Sequence, residues 1–518
     1  MNAEDIVART AWQLGRILKQ KGERNKALSA YRTSFNTLQD LRGDLVAINP
    51  DVQFDFKEGV EPVYREFVGL LLQGELKQGT GRPGIGHWAL GQGYKGTRGP
   101  KERLGTDKGT QRPARDGQGD KGTKKAFPYA LHPRPQTLTV AQENGVTQDN
   151  LQEARLVIEA LQLAELDNFF REACLEAVPQ KIDDIDPTAA VIYPIILSDR
   201  LEVIVSLANR PLLRYTTRLP RQEVQRILQE FHSSLHIAYS DEIRLALAEQ
   251  IYKWLIQPAE AELASGEIKT LVFVLDGFFR SIPMAALYDG EQYLVQKYGI
   301  ALSPGLQLFP EGLERKTLSA LAVGLTEARQ GFSALPEVAK EVKQIAAEVK
   351  SKVLLNREFT RAIFTEEVNS NPTSVVHLAT HGQFSSNPEE TFLLAWDDRI
   401  RIRDFDRLFY QRQKSNRSPV ELLVLSACQT ATGDRRATLG LAGFALRSGA
   451  RSTLATLWSV NDRSTADLMS EFYQELTEYE GEINKAQALR DAQLKLLQNT
   501  LYNHPYFWAP FVLVGNWL

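Results

Sequence analysis

The class of fold is most evident from two short stretches: residues 375–380 read VVHLAT, and residues 421–427 read ELLVLSA. Both are continuous apolar runs rather than alternating ones, which is typical of strands buried on both faces of a parallel sheet. The first stretch runs directly into His381 and Gly382, and the second runs directly into Cys428. Because reactive groups collect at the carboxyl edge of open α/β sheets, we expect the histidine and the cysteine to meet there.

The same kind of pattern recurs around these two stretches and alternates with helical periodicity, which predicts an α/β sandwich with a mostly parallel sheet. Further strands are predicted at 191–198 and 201–208, which would pair as a hairpin, and at 271–277, 294–301, 318–325, 452–458 and 510–515. Helices are predicted at 151–178, 221–256, 336–349, 465–479 and 484–497.

Composition narrows the class of protein. The chain has 518 residues, 61 Lys and Arg against 64 Asp and Glu, and 43% hydrophobic residues, so we expect two or three packed domains and no overall affinity for nucleic acid or membranes. Its two cysteines, Cys174 and Cys428, cannot form a disulfide framework, and we expect Cys174 to be a buried structural thiol. Without a long apolar run or a signal-peptide pattern, the sequence predicts a cytoplasmic protein.

Residues 1–73 have helical periodicity, and Gly22 separates two predicted helices. The order Leu14, Gly15, Leu18, Gly22, Ala27 and Tyr31 resembles one tetratricopeptide unit of about 34 residues. One unit cannot bury its own apolar face, so it would be a remnant of an array or would dock on the neighbouring domain. An ordinary amphipathic helical hairpin is the alternative.

Residues 74–146 are predicted to be a disordered linker or insertion. The part up to residue 125 is rich in Gly, Lys and Arg and has no apolar periodicity, so it cannot bury enough surface to offset its ordering entropy. Its basic residues could touch nucleic acid, but Trp88 and Tyr94 are too few aromatics for base stacking. Residues 147–186 are predicted to be a helical connector.

A cysteine and a histidine brought together can act as a nucleophile and its base. Each alone has an ordinary structural explanation, but Gly382 allows close backbone approach and polar residues follow Cys428 at once. His377 and His381 form an i, i+4 pair, yet on a strand this spacing separates them by about 13 Å, so we predict no metal site and a structural role for His377. No cofactor is expected.

Four blocks carry a family resemblance: VVHLATHGQF, LLVLSACQTATG, LGLAGFALRSGARSTLATLWSVNDRSTADLM and FWAPFVLVG. Together with LVFVLDGFFRSIPMAALYDG at 271–290 and ALPEVAKEV at 334–342, they resemble a CHAT domain. That family belongs with the caspases and separases and often carries tetratricopeptide repeats upstream. The resemblance implies a caspase-like α/β/α sandwich over 187–518, with a degenerate half at 187–315 and a half carrying the dyad at 316–518.

The resemblance implies that the protein is a bacterial cysteine endopeptidase, which could be held in a latent state. By it, His381 and Cys428 form the catalytic dyad, and the backbone N–H groups of Gly382 and Cys428 form the oxyanion hole. Asp462 would line a pocket for Arg or Lys, with Asp434 as a rival. Its partners would be a protein or peptide substrate and a regulator acting through the helical N-terminal region.

Three alternatives stay open at this point. Asp462 could instead cap or flank a helix starting near Ser464. The whole protein could be a non-catalytic caspase-like interaction scaffold, although a scaffold has no reason to keep both His381 and Cys428. A different hydrolase such as a thioesterase could use the same pair.

Overall fold

The computed structural model describes residues 3–48, 59–74, 139–140, 146–170, 186–303, 318–371, 373–385, 390–401, 404–405, 408, 419–426, 428–430, 450–478 and 484–518. Cys174, Asp434 and most of 74–146 lie outside these residues.

The helices of the described residues are α1 (Ala3–Gln20), α2 (Arg24–Ile48), α3 (Glu61–Leu71), α4 (Gln148–Phe170), α5 (Arg221–Ser234), α6 (Asp241–Leu255), α7 (Glu260–Ser265), α8 (Leu294–Lys297), α9 (Val338–Glu348), α10 (Arg361–Ser370), α11 (Asp462–Glu478), α12 (Lys485–Gln498) and α13 (Pro505–Trp508). Among them, none combines the length and the hydrophobicity that crossing a bilayer requires.

The strands are β1 (Thr139–Val140), β2 (Ala189–Ile196), β3 (Leu201–Leu207), β4 (Leu213–Thr217), β5 (Thr270–Phe273), β6 (Gly299–Leu302), β7 (Ser319–Gly324), β8 (Lys350–Leu355), β9 (Val375–Ala379), β10 (Gly382–Phe384), β11 (Phe392–Leu394), β12 (Arg399–Arg401), β13 (Leu422–Leu425), β14 (Cys428–Thr430), β15 (Ser452–Thr456) and β16 (Phe511–Gly515).

Twelve strands form one mixed, mostly parallel sheet in the order β1-β4-β3-β2-β5-β6-β16-β15-β13-β9-β7-β8. A second sheet has the order β12-β11-β10-β14. The predicted fold class, an α/β protein with a mostly parallel sheet and a helical N-terminal region, is confirmed. The hairpin of β2 and β3 is also confirmed, since the two strands pair antiparallel.

Two element predictions were wrong in detail. The apolar run at 294–301 does not form one strand: it starts as the short helix α8, and β6 begins only at Gly299. A capping box between Tyr293 and Gln296 closes that helical turn, and short apolar runs do not by themselves distinguish helix from strand. The predicted helix at 221–256 is two helices, α5 and α6, which are separated at Leu235–Ser240.

The large sheet consists of two halves whose strands run in opposite directions. In the first half, β5 and β6 are parallel, and β6 pairs parallel with β16. Because β16 pairs antiparallel with β15, whereas β15, β13 and β9 are parallel to one another, the direction reverses between β16 and β15. The carboxyl ends of β5 and β9 therefore lie at opposite edges of the sheet.

Helices cover both faces of the second half, which explains why its strands are apolar throughout. Val375 belongs to the hydrophobic core that includes Phe472 of α11, whereas the next residue, Val376, belongs to the core that includes Phe364 of α10. Neighbouring residues of one strand point to opposite faces, so both faces of β9 require apolar side chains.

The N-terminal helices pack through small residues at their crossing. Gly15 of α1 lies against the ring of Tyr31 of α2, and Gly22 adopts φ +77° in the turn between the two helices. Tyr31 is fully buried, its ring lies 6.2 Å from that of Phe67 on α3, and its hydroxyl donates to Glu66 at 2.7 Å. The helical hairpin predicted at the N-terminus is therefore present and packs on a third helix.

Candidate active site

The histidine and cysteine segments leave the large sheet together and pair again in the small sheet. In the ladder of β9 and β13, the partners Val376 and Leu423 are 47 residues apart in sequence. In the ladder of β10 and β14, the partners Gly382 and Cys428 are 46 apart. Between the last pair of the first ladder, Leu378–Leu425, and the first pair of the second, Gly382–Cys428, the histidine segment thus has three residues and the cysteine segment two. Such an extra residue makes a strand bulge and redirects a side chain. His381 lies in this bulge.

Strand β11 fixes the bulge. The carbonyl of His381 accepts a hydrogen bond from the Leu394 amide at 2.8 Å, and the Thr380 hydroxyl donates to the Leu394 carbonyl at 2.7 Å. Paired strands lie about 4.8 Å apart, so the Cα atoms of Gly382 and Cys428 are neighbours and His381 is one residue away. Only the backbone of Cys428 belongs to the described part of the chain.

A backbone carbonyl orients the imidazole of His381. Its Nε2 lies 2.8 Å from the carbonyl oxygen of Ser333, and its ring lies 5.1 Å from the ring of Phe332, tilted by 31°. A carbonyl oxygen only accepts, so Nε2 must carry the proton. In the neutral ring Nδ1 is then the basic nitrogen, which is the form that a general base requires.

Asp462 is the first residue of α11 but does not cap it. The amide of Ser464 donates to the side chain of Asn461 at 3.1 Å, so Asn461 is the capping residue. Oδ2 of Asp462 instead accepts from the amide of Glu337 at 2.9 Å, just before α9. The alternative that Asp462 caps the helix is therefore wrong, whereas the alternative that it flanks the helix start stays open, since it lies in the first turn, where the helix dipole favours a carboxylate.

The surroundings of Asp462 disfavour its negative charge. Burial raises the pKa of Asp462, and the charges of Glu341 and Glu337 raise it further, while the Glu337 amide and His381 act in the opposite direction. A half-buried carboxylate that lies beside two others is strongly stabilised when a cation binds next to it.

His377, four residues before His381, has a structural role as expected. Its Nε2 lies 2.9 Å from Oε1 of Glu341, and its Nδ1 lies 3.2 Å from the hydroxyl of Tyr473, with all three side chains buried. Burial and the charge of Glu341 raise the pKa of Tyr473, so its phenol keeps its proton and can donate to Nδ1. This trio joins β9, α9 and α11, the elements around the site.

The remaining predicted site residues differ in how far the structure describes them. Gly382 and Cys428, whose amides are expected to form the oxyanion hole, are direct partners in the parallel ladder of β10 and β14. Asp434 lies outside the described residues, so its place in a pocket stays a prediction. Within the described ranges, no group of three His, Cys, Asp or Glu residues is arranged to hold a metal ion.

Sequence reasoning missed Ser333, which contacts His381 through its carbonyl. A backbone carbonyl has no side-chain signature, so nothing in the residue type indicates this role. The nearest signal was the block ALPEVAKEV, which begins at the next residue.

The fold and the paired His381 and Cys428 segments define an α/β protein with a histidine and a cysteine at one strand edge. The model of the family described as "CHAT domain" matches residues 245–516, which is more than half of the chain. The chain belongs to the CHAT-domain family. The match begins within α6, inside the predicted boundary of 187–518. No curated protein matches the chain.

Among solved structures, the chain is similar to separase in the Saccharomyces cerevisiae separase–securin complex, with 11% identity and a TM-score of 0.44, over 71% of this chain and 34% of that one. It therefore spans about one third of the separase chain. It is also similar to the complex of the Porphyromonas gingivalis RgpB pro- and mature domains, with 11% identity and a TM-score of 0.33, over 58% of this chain and 77% of that one. A third similar structure is that of the Arg-specific cysteine proteinase gingipain R, with 10% identity and a TM-score of 0.34, over 66% of this chain and 79% of that one.

Proposed function

We propose that this protein is a cysteine endopeptidase that uses Cys428 and His381 to hydrolyse protein substrates after Arg or Lys. The observation that carries the proposal is the bulge that sets His381 beside the Gly382–Cys428 pair, with Nε2 held by Ser333 and Nδ1 left as the base. Membership of the CHAT-domain family supports it.

The proposed reaction follows from these groups. Nδ1 of His381 takes the proton of the Cys428 thiol, and the resulting thiolate attacks the scissile carbonyl carbon and forms a C–S bond. The C–N bond then breaks as the protonated His381 gives that proton to the leaving amine. His381 then takes a proton from water, which hydrolyses the thioester and releases the thiol. The amides of Gly382 and Cys428 would stabilise the oxyanion, an effect of about 3–4 kcal/mol per donor in a well-studied protease.

Asp462 is the proposed carboxylate for the substrate cation. It lies close enough to His381 for the two groups to interact electrostatically, and neighbouring carboxylates make its own charge unfavourable without a cation. Asp434 is the second candidate for this role.

Cleavage of fluorogenic peptides with Arg, Lys, Asp or Leu before the scissile bond tests the proposal. We expect turnover after Arg or Lys, and a loss of at least about 10³-fold in Cys428→Ala and in His381→Ala. Cys174→Ala removes the other cysteine and is the matched control, with turnover unchanged. If the wild type cleaves nothing and Cys428 does not react with an electrophilic thiol probe at neutral pH, the protein is a non-catalytic interaction scaffold instead.

A further inference from the structure

Residues 325–337 connect β7 to α9, and we refer to them as the β7–α9 loop. This loop supplies both contacts to the imidazole of His381, the carbonyl of Ser333 and the ring of Phe332. A carbonyl can orient a catalytic ring only if the loop that carries it is itself held in place. What holds the loop therefore determines the state of His381.

The loop is closed at its neck and at its tip. At the neck, the Leu335 amide donates to the Thr326 carbonyl at 3.2 Å, and the Thr326 amide donates to the side chain of Asn356 at 2.9 Å. At the tip, Arg329 and Phe332 exchange both backbone hydrogen bonds, at 3.1 and 2.8 Å. The two residues between them have φ of +48° and +88°, which corresponds to the tight turn of a β-hairpin.

Two side chains attach the tip to the rest of the protein: the ring of Phe332 lies 6.1 Å from that of Phe392, and Arg329 makes the polar attachment. The guanidinium of Arg329 lies 3.7 Å from the centre of the Trp396 ring, and its Nε and Nη2 donate to the Trp396 carbonyl at 3.2 and 2.9 Å. Trp396 follows β11, and its amide donates to the carbonyl of the fully buried Phe359 at 2.8 Å. Arg329 thus joins the loop tip to a rigid part of the core, three and four residues from the two groups that contact His381.

We propose that Arg329 is a positioning residue for His381. By holding the loop tip on Trp396, it keeps the Ser333 carbonyl on Nε2 and so keeps the neutral imidazole in the tautomer with Nδ1 as the base. Arginine suits this role because its fork places two donors on one carbonyl while its flat face stacks on the indole. The catalytic consequence rests on the proposed peptidase function, whereas the tautomer does not.

The kinetic test compares Arg329→Gln with Arg329→Lys. We expect Arg329→Gln to lower kcat by about 10–100-fold with KM changed by less than about threefold, because a misplaced base slows the chemical step. Lysine can place one donor on the carbonyl and a cation over the ring, so Arg329→Lys should recover part of kcat. Arg357→Gln is the matched control: Arg357 faces the same indole at 5.8 Å, and its loss should leave kcat unchanged.

The second test reads the tautomer of His381 directly, by ¹⁵N NMR of histidine-labelled protein. We expect the Nε2–H form in the wild type and in Arg357→Gln, and a mixture of tautomers in Arg329→Gln. If the tautomer shifts but no variant has peptidase activity, the positioning role stands and the proposed function fails. If the enzyme is active and Arg329→Gln leaves the tautomer unchanged, the positioning proposal is overturned, whatever happens to kcat. Should Arg329→Gln not fold, Arg329→Lys gives the comparison: a tautomer and a kcat identical to those of the wild type and of Arg357→Gln would overturn the proposal.

Discussion

Asp462 has surroundings that disfavour its own ionised form. Its carboxylate is half-buried, the Glu337 amide is its backbone partner, and the carboxylates of Glu337 and Glu341 act on it unfavourably. Because the pKa of Asp462 is raised, its carboxyl group stays partly protonated in the folded protein at pH values just above 3.8, where it is ionised in the unfolded chain. At neutral pH the carboxylate is ionised in both states, and its ionisation lowers the stability of the folded protein. An arginine or lysine side chain of a substrate would remove that cost.

Asp462→Asn should therefore separate specificity from stability. We expect the preference for Arg and Lys over Leu, measured as a ratio of kcat/KM values, to fall by about 10–100-fold, because the neutral amide no longer attracts a cation. The Asn oxygen can still accept from Glu337, so Tm should be unchanged or slightly higher. The measurements are steady-state kinetics on the matched peptides and a thermal melt at pH 7.

Asp467→Asn on the same helix is the control for this variant. Asp467 pairs with Lys340 at 2.8 Å on the surface, so its loss should affect neither specificity nor, by more than about 1 kcal/mol, stability. An Asp462→Asn enzyme that still prefers Arg would exclude Asp462 as the specificity carboxylate and leave Asp434 to be tested.

At the scale of elements, two helical glycines show how the same residue type has opposite roles. A Cβ on Gly15 of α1 would lie 2.9 Å from Cδ2 of Tyr31, a ring that cannot yield because it is buried against α3. A Cβ on Gly69 of α3 would meet only Leu197, at 3.8 Å, which is an ordinary contact. The first glycine is needed for helix packing, and the second is not.

Gly15→Ala and Gly69→Ala should therefore change stability in opposite directions. We expect Gly15→Ala to lower the free energy of unfolding by about 1–3 kcal/mol, because overpacking outweighs the gain in helix propensity. Gly69→Ala should raise it by about 0.5–1 kcal/mol, because nothing opposes that gain. Urea unfolding followed by circular dichroism measures both, and a change of the same sign in the two variants would contradict this account of the α1–α2 crossing.

At the scale of the whole molecule, a buried ion pair joins the N-terminal helices to the first half of the sheet. Arg65 of α3 contacts Asp276 with both terminal nitrogens, at 2.8 and 2.9 Å, and Asp276 also accepts from the Ile196 amide at 2.9 Å. Asp276 follows β5, at the edge of the sheet opposite to His381. Measured along the strand direction only, Asp276 and His381 are roughly 26 Å apart, at about 3.3 Å per residue. Regulation through the N-terminal helices would have to act across the sheet.

Breaking this pair should be costly. Asp276→Leu removes the carboxylate that pairs with both terminal nitrogens of the buried Arg65 and leaves Glu61 and the more distant Glu165 as its acidic partners, so we expect a loss of about 3 kcal/mol in the free energy of unfolding. Arg65→Met combined with Asp276→Leu should cost clearly less than the sum of the single changes, because both members of the pair are removed together while Glu61 and Glu165 keep Arg221 and Arg280 as partners. Urea unfolding at pH 7 of the four proteins completes the cycle, and additive single and double changes would show that the two side chains do not interact.

Because of the Arg65–Asp276 pair, we expect the stability of the protein to depend on pH. Burial by itself would raise the pKa of Asp276, but the Arg65 charge and hydrogen bonds hold it below the ordinary value of 3.8. The stability that ionised Asp276 contributes is thus fully present above about pH 3.8, the pKa of the unfolded chain. It is lost as the pH falls through the lower pKa that Asp276 has in the folded protein. The wild type should lose stability over that acidic range more steeply than the double variant.

Local sequence pattern was enough to predict the class of fold and the residues at the strand ends. Apolar runs at 375–380 and 421–427 lead straight into His381 and Cys428, and the pairing of parallel strands brings such ends together. This much is local pattern plus a general rule of sheet geometry. The helical N-terminal hairpin was predictable for the same reason, since its small residues recur with helical spacing.

The way His381 is held depends on contacts between segments that are distant in sequence, and no local pattern indicates it. The one-residue register difference is a property of two ladders and not of any single segment. Ser333 acts through its carbonyl, and Arg329 binds the carbonyl of Trp396, which is 67 residues away. Backbone groups are the same at every position of a chain, so a sequence cannot indicate which of them will meet a side chain. Their partners are set when loops distant in sequence pack on one another.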